Sequence, residues 1–153
     1  MKQLVALSLL VLLFSCDEDD FKSLEVRDDS SVKSLNGTWR VIAYEDYEQG
    51  ELIAKTEENS RGMDVIVTFD DTTDPPSIEG SNTTNSIWGT FEYTGPRSFS
   101  VPGLASTLVG QPEWGNVFSA IFTEGELVFT VNPSSLKIHN SLQQLSVVLE
   151  REQ

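Results

Sequence analysis

The 153-residue chain has one cysteine and one histidine. A single cysteine excludes a disulfide within the chain, so the folded part must rest on its apolar core. A lone histidine with no cysteine beside it makes a poor zinc site. His139, in Lys137-Ile138-His139-Asn140, reads as a surface residue at a strand end. The G-x-S-x-G turn that would present a serine nucleophile does not occur. Basic side chains are also scarce, 10 against 24 acidic ones, giving a formal charge of −14 and a pI near 4.2. Such a chain is repelled by nucleic acid and by anionic lipid headgroups, which carry the same sign, and nucleic-acid binding drops out. Long apolar runs are missing too. The longest, residues 4–14, has eleven residues, whereas a bilayer span takes about 20.

That short run has the layout of a secretory signal, with Lys2 as a basic n-region and residues 4–14 as the h-region. It ends in Leu13-Phe14-Ser15-Cys16 rather than in an A-x-A-like site. This end resembles the lipobox of bacterial lipoproteins in the looser Bacteroidetes form, where a small residue precedes the cysteine. The resemblance implies a diacylglyceryl group on Cys16, cleavage before it, and acylation of the new N-terminus. Two or three acyl chains hold a protein on a membrane far better than one. Cleavage removes Lys2 and no acid, leaving 9 basic against 24 acidic side chains, a formal −15. Asp17, Glu18, Asp19 and Asp20 follow directly. They read either as a solvated spacer or, by resemblance, as the acidic export signal of Bacteroidetes surface lipoproteins.

Residues 16–34 read as the lipidated N-terminus and a flexible acidic tether, with little periodicity. Residues 35–153 read as one β domain. Thr38-Trp39-Arg40-Val41-Ile42-Ala43-Tyr44 is rich in aromatic and β-branched residues. Gln49-Gly50 marks a hairpin turn. Met63, Val65, Val67 and Phe69 alternate on one strand face, as do Ile87, Gly89, Phe91 and Tyr93, and Leu127, Phe129 and Val131. Residues 77–83 read as a weak edge strand. Trp114, Val117, Phe118 and Ile121 break the β rhythm with a helical stripe, Pro112 and Glu113 suiting its start. The expected fold is mostly β: a small antiparallel curled sheet or barrel of about eight strands with one short helix.

Several motifs occur in an order that resembles META-domain proteins. Leu35-Asn36-Gly37-Thr38-Trp39 is similar to that family's opening, which lipocalin-like lipoproteins share. Gly80, Asn85, Gly89 and Phe91 follow its middle pattern, then Leu104-Ala105-Ser106-Thr107, then Pro112-Glu113-Trp114 with Phe118. Leu136-Lys137-Ile138 through Leu145 and Leu149 to Arg151 matches its finish. The similarity covers residues 35–151 and implies a META-like β domain in an envelope setting. The family's two cysteines would fall near Thr84 and Gln111, and both are missing, while Asn85 remains for a structural turn. The lipocalin-like alternative implies that Trp39 packs at the barrel base against Arg151, through stacking and cation–π attraction.

Little else points to chemistry. Asp70, Asp71 and Asp74 are hard oxygen ligands of the kind calcium takes, but without EF-hand spacing, and read as a solvated turn. Asp71-Thr72-Thr73 resembles the Bacteroidetes O-glycosylation sequon. Trp88 and Tyr47 are placed on outward faces. No nucleophile–base pair, metal set or cofactor motif is visible, so no enzyme activity and no cofactor are expected. The sequence leads to a lipid-anchored outer-membrane protein, held on the membrane by acyl chains on Cys16. Its domain binds an unknown protein or envelope component or, in the lipocalin-like alternative, carries a small apolar ligand.

Overall fold

The computed structural model describes residues 21–153. Nine strands and two short helices follow one another: β1 (Gly37–Asp46), β2 (Glu51–Ala54), α1 (Glu57–Ser60), β3 (Val65–Asp70), β4 (Ser77–Asn82), β5 (Asn85–Gly95), β6 (Ser98–Ser106), α2 (Glu113–Ile121), β7 (Leu127–Val131), β8 (Ser135–Asn140) and β9 (Leu145–Arg151). From β3 onward each strand pairs antiparallel with the next, and β1 joins β3 to β9. Eight strands therefore close into a barrel. β1 spans its full height: residues 37–40 pair with β3, and residues 43–46 pair with β2, the ninth strand.

Alternating residues fill the interior. Val65, Val67 and Phe69 on β3, Leu127, Phe129 and Val131 on β7, and Leu136 and Ile138 on β8 are all buried. At its centre Phe69, Phe91, Phe99 and Phe129 meet edge to face, with centroids 5.6–6.0 Å apart. This geometry suits the positive edge and negative face of each ring, and each buried ring stabilises the fold by about 1.5–3 kcal/mol.

The weak seam lies between β6 and β7, which share only Ser98↔Val128 and Phe99↔Leu127. Beyond Phe99, β6 has a free edge. The amide of Thr107 points to Ser86 on the β5 side, so by alternation position 102 points to the free edge. A proline is tolerated there because its missing donor faces no partner strand.

α2 plugs one end of the barrel. Its stripe is buried as the periodicity predicts: Trp114, Phe118 and Ile121 are in the core. The ring of Tyr44 packs at 4.5 Å on that of Trp114, and the Tyr44 hydroxyl donates to the Trp114 carbonyl at 2.7 Å. Gly115 belongs in this helix because a Cβ there would sit 2.7 Å from Asn82 Oδ1 and Thr83 Oγ1. Asn82 Nδ2 donates to the Gly115 carbonyl and to Ser119 Oγ, and Asn140 Nδ2 donates to the Ile121 carbonyl. We call this the plug end and the opposite one, at Gly37 and Arg151, the base.

Three expectations are corrected. There are two helices, not one; α1 is a four-residue turn with a capping box between Thr56 and Asn59. Residues 77–83 form no edge strand. β4 lies between β3 and β5, and of its inward residues only Ile78 is apolar, while Gly80 lies against the β3 backbone and Asn82 bonds α2. The free tether expected over residues 16–34 does not hold for residues 21–34, which are fastened along the outside of the barrel. Leu24 N donates to Glu45, Asn132 Nδ2 to the Arg27 carbonyl, Asp29 N to the Val131 carbonyl, and Arg97 to the carbonyls of Val32 and Asp29. Low periodicity hid this strap because its bonds run to side chains and strand ends rather than along a ladder.

Candidate functional site

The base carries the first predicted pair. Trp39 and Arg151 are direct partners in the β1–β9 ladder, and Trp39 is fully buried. The Arg151 guanidinium carbon stands 4.2 Å from the centre of the Trp39 ring. Arg151 Nε donates to the Pro133 carbonyl, and both terminal nitrogens donate to the Asn36 carbonyl. Trp39 Nε1 donates to the Leu35 carbonyl at 2.8 Å. The pair closes the base and ties three segments together, a structural duty.

Asn85 is nearly buried at the start of β5 and makes no turn of its own. Its Oδ1 accepts from Val109 N and Thr107 Oγ1, while its Nδ2 donates to the Val109 carbonyl and to Gln111 Oε1. Thr84 Oγ1 donates to the Gly110 carbonyl at 3.2 Å. The segments around Thr84 and Gln111, where the META resemblance places cysteines, are thus joined by hydrogen bonds.

The most developed polar cluster was missed in the sequence. Glu45 lies on the outer face of β1, yet is fully buried beneath the strap. Lys137 Nζ meets Glu45 Oε2 at 2.5 Å, and the Tyr47 hydroxyl donates to the same oxygen at 2.7 Å. Leu24 N and Ser23 Oγ donate to Oε1 at 2.6 and 3.1 Å. Burial would raise the Glu45 carboxyl, but the bonds from Lys137, Tyr47 and Leu24 outweigh it and hold its pKa below the usual carboxylate value. His139, expected at the surface, is half-buried beside this cluster. Its ring packs edge-on against Tyr47 at 5.3 Å, and Nδ1 lies 2.9 Å from Ser146 Oγ. Burial, and then the Lys137 ammonium, push its pKa down, against the pull of Glu45. The sequence signal was faint: β1 had to be read one residue further, and nothing marks what covers its outer face.

A cleft of about 290 Å³ beside this cluster is lined by Tyr47, Val128, Lys137, His139 and Ser146 among others. Another, of about 360 Å³, follows the β6–α2 seam past Ile87, Pro102, Leu104 and Phe122. Both open at the surface, and the barrel centre is occupied by aromatic side chains. Trp88 and Tyr47 are exposed as expected. Two carboxylates of the 70–76 loop serve hydrogen bonds within the protein: Asp70 accepts from Thr72, and Asp71 accepts from Ser34 and Tyr93. Among the described residues no group of three or more His, Cys, Asp or Glu is placed to hold a metal. No helix among them is long and apolar enough to cross a membrane. Cys16, Asp17, Glu18, Asp19 and Asp20 lie outside the described residues.

Two solved structures share the fold. An NMR structure of a protein from Burkholderia xenovorans superposes with a TM-score of 0.62 at 14% identity, covering 86% of this chain and 93% of that one. The crystal structure of a DUF4847 family protein from Bacteroides vulgatus gives 0.53 at 14% identity, covering 76% and 93%. At this identity the likeness is one of fold alone. No protein-family model matches the chain, and no curated protein matches it.

Proposed function

We propose that the chain is a bacterial outer-membrane lipoprotein, anchored by acyl chains on Cys16, whose META-like barrel is a non-enzymatic binding or structural module. One observation carries this reading: the only cysteine stands at the end of a signal-like apolar run, five residues before a segment fastened to the barrel. Labelling with radioactive palmitate and intact-mass measurement test it. Incorporation that is lost in Cys16→Ala supports the anchor; a processed, labelled Cys16→Ala protein overturns it. In this reading the four acids after Cys16 direct the protein to the cell surface. Protease accessibility on intact cells should fall when residues 17–20 are deleted, and unchanged accessibility returns them to a spacer.

A second reading, the lipocalin-like carrier, draws its support from Trp39 and Arg151. The packed rings of Phe69, Phe91, Phe99 and Phe129 count against it, since they occupy the space an apolar ligand would need. Native mass spectrometry separates the two. A co-purifying lipid or pigment favours the carrier, and a bare mass favours the binding module.

A further inference from the structure

We infer that the barrel rests on an uncharged or zwitterionic lipid surface with its plug end facing the membrane and its base facing away. The acyl anchor at Cys16 is the premise. Phe21, the first described residue, lies at the plug end: its ring meets that of Tyr47 at 5.5 Å, and its Cβ is the nearest neighbour of Gly50 in the β1–β2 turn. From there the chain is held to the barrel at once, by Ser23 and Leu24 on the buried carboxylate of Glu45. Five residue steps separate Phe21 from Cys16, a reach of at most about 18 Å. An anchor on that leash keeps the plug end at the membrane.

The surface of that end fits the position. The three most exposed large apolar side chains all stand there: Leu108 at 98%, Leu142 at 62% and Val109 at 59% exposed. One pair precedes the plug helix in the chain, and Leu142 lies against Gly125 in the segment that follows it. Leu108 and Val109 lie in the loop that Asn85 holds ahead of α2. Leu142 lies in the β8–β9 turn beyond it, which is tied to the β1–β2 turn by Tyr47 N donating to the Gln144 carbonyl. At the base, by contrast, the turns at residues 71–76, 94–97 and 132–134 expose no large apolar side chain, and the adjoining ring of Tyr93, 38% exposed, is tied by its hydroxyl to Leu35 N and Asp71. Isolated exposed leucines need no explanation; their confinement to the end where the chain exits does. Loop-tip leucines reach the acyl boundary without backbone insertion. Asp46, Glu48 and Glu51 beside the exit are repelled by anionic headgroups, which favours an uncharged or zwitterionic surface.

The test uses the chain from residue 16, which keeps every contact described here, coupled through its only thiol to a maleimide lipid in phosphatidylcholine vesicles. Coupling replaces biological acylation, so a failure of orientation is distinct from a failure of the anchor, which palmitate labelling reads separately. In a Trp88→Phe background, Leu108→Trp, Leu142→Trp and Ser134→Trp are compared in vesicles with and without brominated acyl chains, near-ultraviolet circular dichroism confirming that each is folded. Bromine quenching of the added signal in L108W and L142W, with S134W unchanged and the quenching reduced when anionic lipid is added at low salt, is the expected result. Equal quenching of S134W, or no added quenching in either leucine variant, overturns the orientation.

Discussion

Arg151 lies over the buried ring of Trp39 at 4.2 Å and reaches past it to the carbonyls of Asn36 and Pro133. One side chain thereby joins the start of β1, the β7–β8 turn and the last strand. Gly37 shares the site. Its φ is +132°, and a Cβ there would fall 2.1 Å from Arg151 Nη1, so only glycine leaves the guanidinium its place.

Arg151→Ala should lower stability by about 2–3 kcal/mol, the sum expected for one cation–π contact and charged bonds to carbonyls. Arg151→Lys should recover only part, since an ammonium lacks the planar fork. Urea unfolding followed by tryptophan emission measures both, and an R151A variant as stable as the parent would show the pair to be incidental.

Glu45→Gln should leave Lys137 largely covered beside a neutral amide. Removing one partner of a buried ion pair costs about 3–5 kcal/mol, and the residual exposure of Lys137 points to the lower end. The strap should loosen with it. Trypsin should then cut at Lys22 and Arg27 faster than in the parent, with the barrel core resisting; equal cutting would mean that the strap is held elsewhere.

Acid should weaken the fold in two steps. His139 has a folded pKa below its ordinary value of 6.5, so the unfolded chain takes up its proton first, and stability falls as pH drops below about 6.5 until the folded ring also protonates. Glu45 has a folded pKa below its ordinary 4.5, so its contribution is present above that value and is lost as pH falls through the folded pKa. His139→Gln should flatten the upper step and leave the lower one. Thermal melts from acid to mildly basic pH read both, and an unchanged upper step would place the titration on another group.

Replacing Thr84 and Gln111 together by cysteine should give a cross-link that forms in air. It would close a loop of about 27 residues and stabilise the barrel by up to about 3.5 kcal/mol on the chain-entropy estimate. Asn85→Ala should act in the opposite direction, by about 2–3 kcal/mol, because it leaves the Val109 amide and the Gln111 Oε1 without their partner. Calorimetry with and without reductant compares the three proteins; a double-cysteine protein that stays reduced would show that the two segments do not approach closely enough.

The barrel was legible wherever one strand face is apolar. Val65, Val67 and Phe69 alternate cleanly and point inward, and the stripe from Trp114 to Ile121 gave the plug helix. β4 reads as an edge strand because Gly80, pressed against the β3 backbone, and Asn82, bonded to α2, carry no apolar signal. The Trp39–Arg151 contact came from family resemblance and matches the ladder register. The Glu45 cluster could not be read, since its burial depends on coil residues folding over an outer face, and no residue period records that. Nor did charge scarcity reveal that Lys137 and Arg97, two of ten basic side chains, would hold the strap.

β1 pairs with β9 over seven residue pairs, from Trp39↔Arg151 to Asp46↔Leu145. The ring therefore closes only when the last strand meets the first. Contacts of such long sequence separation form late, and a chain released in segments has no ring to complete. Until β9 is present, β1 has only β2 and β3 as partners and the ring stays open.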